Sequence, residues 1–257
     1  MTPTDHAKLL VEQFTKQAVP FSRWEGHSNE SAMKRIIEMM RVGPEDTVLD
    51  VACGPGLVAI EFARIARHVT GIDLTPAMID RARDLQRETG LTNLTWEVGD
   101  GAALPYPDGA FSLVLSRYTF HHLIDPGSVL REMVRVCAPG GRVAVIDASP
   151  EAEKADAYDR METLRDPSHV RAMPAAELFS LMVAAGLDAI ESDFHRLETD
   201  LDTALAGSFP NPGDAERLRA LFEEDLGRDR LGVGAYEKDG KIRFSYPIVA
   251  LVGTKPG

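Results

Sequence analysis

Three observations predict a doubly wound α/β fold. Short apolar runs alternate with stretches of helical apolar spacing from about residue 47 to residue 147. The connections between them are brief, which favours parallel strands with crossover helices. Near the C terminus Asp239-Gly240 precedes the apolar run Ile242–Val252, a hairpin that closes the sheet with an antiparallel strand.

The elements follow in order. Residues 5–19 predict an amphipathic helix through Leu9, Leu10 and Phe14, ended by Pro20, and Phe21, Trp24 and His27 then lie in a turn-rich segment. Residues 31–42 place Met33, Ile36, Ile37 and Met40 on one helical face, and Gly43-Pro44 breaks the chain. Strands are predicted at 47–52, 69–73, 94–98, 111–116 and 142–147, with helices at 57–67, 76–89 and 126–137. Thr75-Pro76 and Asp125-Pro126 each set a cap residue before proline at the first helical position. Gly90 ends the first of these helices, and Pro139-Gly140-Gly141 follows the second.

Beyond Pro150 the pattern changes. A charged helix is predicted over 151–165, an apolar helix over 174–185 ending at Gly186, and a strand over 187–195. Helices broken by Phe209–Gly213 fill 200–230, and Pro247 inside the last strand implies a sheet edge or a bulge. The chain divides into a helical N-terminal cap (1–43), a ligand-binding core (44–150) and a substrate cap joined to the remaining strands (151–257), all in one compact domain.

Composition narrows the function. The hydrophobic share of 44% and charged share of 26% belong to a soluble globular protein. A net charge of −12 lacks the basic footprint that non-specific nucleic-acid binding requires. Two cysteines without a CxxC pair suit a reducing cytosol, and no metal-ligand set stands out. The N terminus scatters charges rather than forming a secretory leader, and no run approaches the roughly 20 apolar residues of a membrane span. A cytoplasmic location is expected.

Residues 47–56, Thr-Val-Leu-Asp-Val-Ala-Cys-Gly-Pro-Gly, carry the main functional signal. They read as strand, tight turn and helix start, the layout of a nucleotide-type cofactor loop in which Gly54 and Gly56 admit a ligand to the backbone. Asp73 ends the second strand 73 − 54 = 19 positions after Gly54, where a carboxylate can hold a ribose diol. This pair does not separate a nicotinamide cofactor from another adenosyl ligand. Pro55 between the glycines and Asp50 before them suit an amino-acid tail better than a pyrophosphate. Gly99-Asp100-Gly101-Ala102 and Ser116-Arg117-Tyr118 add polar groups at two further strand ends, and open α/β sheets bind ligands along that edge.

The ordered series VLDVACGPG, GIDLTPAMI, GDGAALPYPDGAFSLVLSRYTFHHL and LREMVRVCAPGGRVAV resembles the class I S-adenosylmethionine-dependent methyltransferases. Within them it is similar to the small-molecule branch related to ubiquinone/menaquinone C-methyltransferases. The resemblance covers roughly residues 30–150. It implies a Rossmann-like, seven-stranded sheet whose last strand is antiparallel, and S-adenosyl-L-methionine as cofactor. It also implies that Asp50 and the loop Ala52, Cys53, Gly54, Gly56 hold the methionine part, and that Asp73 binds the ribose. Leu74 and Met78 would flank the adenine, Asp100 with Gly101 and Ala102 would take its amino group, and Arg117 would lie near the cofactor tail.

Methyl transfer needs the acceptor, methyl carbon and sulfur in line, and a base only where the nucleophile must shed a proton. His121 and His122, after the fourth strand, are candidates for that base, as is His169 in the segment Arg165-Asp166-Pro167-Ser168-His169-Val170-Arg171. Asp147, ending the fifth strand, is read as a helix cap in preference to a site residue. Arg165 and Arg171 are candidates for an anionic acceptor because arginine suits carboxylate and phosphate. Phe14, Phe21, Trp24 and Tyr118 are candidates for the rest of the acceptor pocket. The acceptor is a small molecule with an O, N, S or activated C nucleophile, and a homodimer is left open. Competing readings are a different methyl donor/acceptor pair, a nicotinamide-dependent oxidoreductase and a non-catalytic cofactor-binding protein.

Overall fold

The computed structural model describes residues 2–23 and 30–257. Its centre is one sheet in the order β3-β2-β1-β4-β5-β8-β6, with the short β7 (Tyr236–Lys238) paired to β8 beside this path. Strands β1 (Thr47–Val51), β2 (His68–Asp73), β3 (Leu94–Val98), β4 (Phe111–Arg117) and β5 (Cys137–Ala148) are mutually parallel. β8 (Lys241–Thr254) runs antiparallel between β5 and β6 (Asp188–Asp200), as the hairpin signal predicts.

The helices after α1 cover the sheet with their apolar sides. α2 (Glu30–Met39), α3 (Leu57–Ala63), α4 (Pro76–Thr89), α6 (Ala155–Arg165), α8 (Leu201–Ala206) and α9 (Asp214–Asp225) contribute to one buried cluster containing Phe62, Ile79, Tyr158 and Phe222. α5 (Pro126–Val136) and α7 (Ala175–Ala184) pack Leu130, Met133 and Met182 on the opposite cluster with Leu49 and Val114. Among the described residues no helix is long and apolar enough to cross a membrane.

Four expectations need correction. α1 spans Pro3–Arg23 and passes through Pro20 instead of ending there. Proline removes one helical donor, but the last turn is tied down from outside: Arg81 Nε donates to Ser22 Oγ at 3.0 Å, and Phe21 packs into the site described below. α3 stops at Ala63, four residues early, because Asn93 Nδ2 donates to the carbonyls of Ala63 and Ala66 and satisfies the helix end. Pro139-Gly140-Gly141 lies within β5, where a Cβ on Gly141 would sit 2.7 Å from Cys137 Sγ.

Pro247 is the fourth. It sits in an interior strand, opposite Arg196, and marks neither an edge nor a bulge. Its carbonyl accepts from Ser149 N–H at 2.8 Å just beyond the last β5 pair, Ala148 with Ile248. The missing N–H falls where β5 is leaving the sheet, so only the final bond of that ladder is lost.

Candidate active site

The strand order reverses between β1 and β4, and at the carboxyl edge beside this point lie two cavities that share a wall. The smaller, of about 340 Å³, is formed by the ends of β1 to β4 under α1. The larger, of about 750 Å³, lies among α1, α6, α8, β6 and β8. Phe14, Phe21, Tyr118 and His122 line both.

The smaller cavity gathers nearly all the residues expected for the cofactor. Asp50, Ala52, Cys53, Gly54, Asp73, Leu74, Met78, Asp100, Gly101, Ala102 and Arg117 line it. The loop after β1 turns through left-handed backbone at Ala52 (φ 55°) and Gly54 (φ 54°). A Cβ built on Gly54 meets nothing within 4 Å, so the loop backbone is open to a ligand there. Gly56 is different. Its Cβ would lie 2.4 Å from Trp96, it does not line the cavity, and its φ of 79° starts α3. Gly56 serves the turn and the packing of Trp96, which corrects its assignment as a ligand contact.

Asp73 fastens the loop to β2, accepting from Gly54 N–H and from Thr75 N–H, both at 2.8 Å. Burial raises its pKa against these bonds. Asp50 is more exposed to the consequences of burial. Its Oδ2 is buried without a hydrogen-bond partner. Desolvation lifts its pKa to about 7, with Arg117 opposing and Asp73 adding to the rise. An orphaned carboxylate of this kind is stabilised by a ligand that brings positive charge. Four carboxylates, Asp50, Asp73, Asp100 and Asp125, line the cavity against one guanidinium, Arg117. A ligand with an ammonium and a sulfonium fits that balance, and a dinucleotide pyrophosphate does not.

The larger cavity receives His121 and His122 from the short 3-10 turn Phe120–His122 after β4. Tyr118, which precedes that turn, holds a left-handed φ of 59°, and strain at a bulky residue gathers where structure over-determines it. Asp147 is the partner of His121. Its Oδ1 meets His121 Nδ1 and accepts from Ala148 N–H at 2.6 Å, and its Oδ2 accepts from His121 N–H at 3.1 Å. Asp147 therefore orients His121 and does not cap a helix. Burial pushes the His121 pKa down, but Asp147 outweighs it and the net direction is up.

His122 is held in the opposite state. Burial, then the neighbouring His121, press its pKa well below the ordinary value, so it is neutral. Its Nδ1 lies 3.0 Å from the Ser168 carbonyl, which can only accept, so Nδ1 carries the hydrogen. Its own carbonyl takes a 2.7 Å bond from His6 Nε2 on α1, and Gln17 Nε2 donates to Asp166 Oδ2 at 2.9 Å.

The segment 165–171 divides. Arg165 lines the larger cavity but is neutralised by Glu162, to which it donates at 2.7 Å, and it also donates to Ser208 Oγ at 2.8 Å. His169 lines neither cavity: its enclosed side chain places Nε2 2.8 Å from Asp159 Oδ1. Arg171 makes a bidentate pair with Glu177 on an exposed surface, outside both cavities. Backbone N–H groups of Val170 and Arg171 both donate to the His121 carbonyl, so this stretch buttresses the turn rather than reaching a ligand. Trp24 and His27 lie outside the described residues. Sequence reasoning missed Glu162, Tyr158, Tyr246 and Arg243 on the cavity wall. The alternation Phe244, Tyr246, Ile248 marks the buried face of β8 and could have pointed to Tyr246.

Residues 49–145 match the family profile described as Methyltransferase domain. The chain is 30% identical over 246 residues to the uncharacterized methyltransferase YcgJ of Bacillus subtilis (strain 168), covering 94% of this chain and 97% of that one. The crystal structure of YcgJ superposes with a TM-score of 0.81 over 88% of this chain and 99% of the other, at 23% identity. The 27-O-demethylrifamycin SV methyltransferase of Amycolatopsis mediterranei (strain S699) is 32% identical over 160 residues, 58% of this chain and 59% of that one. A demethylmenaquinone methyltransferase of Listeria monocytogenes is 37% identical over 119 residues, 45% of this chain and 50% of the other.

Proposed function

The chain belongs to the class I S-adenosylmethionine-dependent methyltransferases, and on that premise we propose that it methylates a small molecule held in the larger cavity while S-adenosylmethionine occupies the smaller. The observation that carries this reading is the shared wall of Phe14, Phe21, Tyr118 and His122, which puts two ligands in contact at one place. Relatives named for rifamycin and menaquinone precursors support a small organic acceptor.

When bound, S-adenosylmethionine supplies a methyl carbon activated by a sulfonium. Asp50 and the open backbone at Gly54 hold its amino-acid end, and Asp73 and Asp100 hold its nucleoside end. The aromatic wall excludes water and fixes the line of attack, and orientation of this kind supplies about 7–11 kcal/mol in well-aligned reactions.

His121 takes a proton from the acceptor. Asp147 pins Nδ1–H, which leaves Nε2 as the basic nitrogen, and stabilises the imidazolium that forms. A base is useless to a nucleophile that carries no removable proton, so the dyad favours a hydroxyl or an activated carbon. Titration calorimetry with S-adenosylhomocysteine and with NAD+ tests the assignment. Binding of the first alone is expected, whereas tight NAD+ binding without S-adenosylhomocysteine binding would sink it.

A further inference from the structure

The larger cavity carries two guanidinium groups and four carboxylates, and most of them are already engaged. Arg165 pairs with Glu162. Asp166 accepts from Gln17 and Ser168. Asp200 caps α8 through Thr203 and lies 3.5 Å from Lys241. Glu198 is exposed to water. Arg243 remains. It lines the cavity, no hydrogen bond or ion pair links its side chain to any described residue, and its Nε is buried without a partner.

Arg243 is half-buried, with Nε withdrawn from water and left without a partner, and the planar guanidinium fork matches a carboxylate in two parallel bonds. The strand register says where it stands. On β8, Ile248 pairs with Ala148, the neighbour of the Asp147 that holds His121. Arg243 lies five residues before Ile248 on the same strand, roughly 16 Å away at the usual rise. The register therefore separates Arg243 from the His121–Asp147 pair along the β8 wall of the cavity.

We propose that Arg243 anchors the acceptor by binding a carboxylate on the β8 wall of the cavity, away from His121. The acceptor class is then a hydroxylated carboxylic acid, its hydroxyl toward His121 and its acid group on Arg243. One negative charge balances one unpaired guanidinium. A phosphate dianion would leave excess charge facing Glu198 and Asp200, so the carboxylate is the better match. The proposal rests on the two-cavity reading above.

The test uses enzyme saturated with S-adenosylhomocysteine and calorimetric titration of 4-hydroxycinnamate against its neutral counterpart, 4-hydroxycinnamamide. Wild type binds the acid more tightly than the amide. Arg243→Met weakens the acid by roughly tenfold or more and leaves the amide and S-adenosylhomocysteine unchanged, while Arg243→Lys keeps part of the preference. Equal binding of acid and amide by wild type overturns the proposal without needing any variant. No binding of the acid, or undiminished binding by Arg243→Met, overturns it too. If wild type fails to bind S-adenosylhomocysteine, the two-cavity reading fails first and takes this proposal with it.

Discussion

Replacing Asp50 by asparagine separates the needs of the fold from those of the ligand. With its pKa at about 7, Asp50 in the ligand-free protein is half protonated near neutrality. In the unfolded chain it returns to the ordinary value of ~3.9. Between these values the folded state binds more protons than the unfolded one, so stability falls as pH rises through that window and stays reduced above it. The difference, ~3 pH units at 1.36 kcal/mol each, amounts to at most ~4 kcal/mol. Asp50→Asn removes that cost, and the ligand-free variant is expected to melt higher than wild type at pH 8, with the gain fading toward pH 4. Cofactor affinity moves the other way. The ligand's ammonium group favours the ionised carboxylate, so wild-type affinity for S-adenosylhomocysteine drops about 20-fold from pH 7.5 to 5.5, with about half a proton released on binding at pH 7. Calorimetry in buffers of different ionisation enthalpy reads both quantities. A pH-independent affinity in wild type, or unchanged binding by Asp50→Asn, would refute the role given to Asp50.

Other expectations follow from the same geometry. Gly56→Ala forces a Cβ to 2.4 Å from Trp96 at positive φ and is expected to cost ~2–3 kcal/mol of unfolding free energy in urea. Gly54→Ala has open space and costs about 1 kcal/mol of backbone strain, but weakens S-adenosylhomocysteine binding; equal destabilisation by the two would contradict their separate roles. In nuclear magnetic resonance titrations His121 is expected above its ordinary 6.5, moving down in Asp147→Asn because the charge that holds its proton is gone. Activity on a hydroxyl acceptor should fall about 10²–10⁴-fold in His121→Ala, measured as kcat with S-adenosylmethionine saturating. Glu162→Gln leaves buried Arg165 without its counter-ion and is expected to destabilise the fold by about 3–5 kcal/mol; a neutral effect would show that Ser208 and solvent suffice.

Short-range signals were the readable part of this chain. Turn residues with a local steric reason, such as Thr75-Pro76, Asp125-Pro126 and Asp239-Gly240, set element borders that the fold keeps. Where borders moved, a distant group decided: Asn93 ends α3 and Arg81 steadies the turn after Pro20. The cofactor cavity was legible because its residues cluster in a few loops at consecutive strand ends. The acceptor cavity was not, because its walls come from α1, α6, α8 and β8, far apart in sequence. Charge partners were equally hidden. Arg165 and Arg171 looked alike as cations, yet Glu162 and Glu177 have claimed them, while Arg243 gave no sign in sequence that it would stand alone.

Helix α1 roofs both cavities, with Phe14 and Phe21 touching each, and it is fastened at His122, Asp166 and Arg81. A molecule in one chamber that fixes this helix changes the affinity of the other chamber, and thermodynamic linkage makes the factor identical in both directions. Donor and acceptor thus report on one another through a shared ceiling: measuring how one tightens the other gives the stiffness of α1 without ever observing it move.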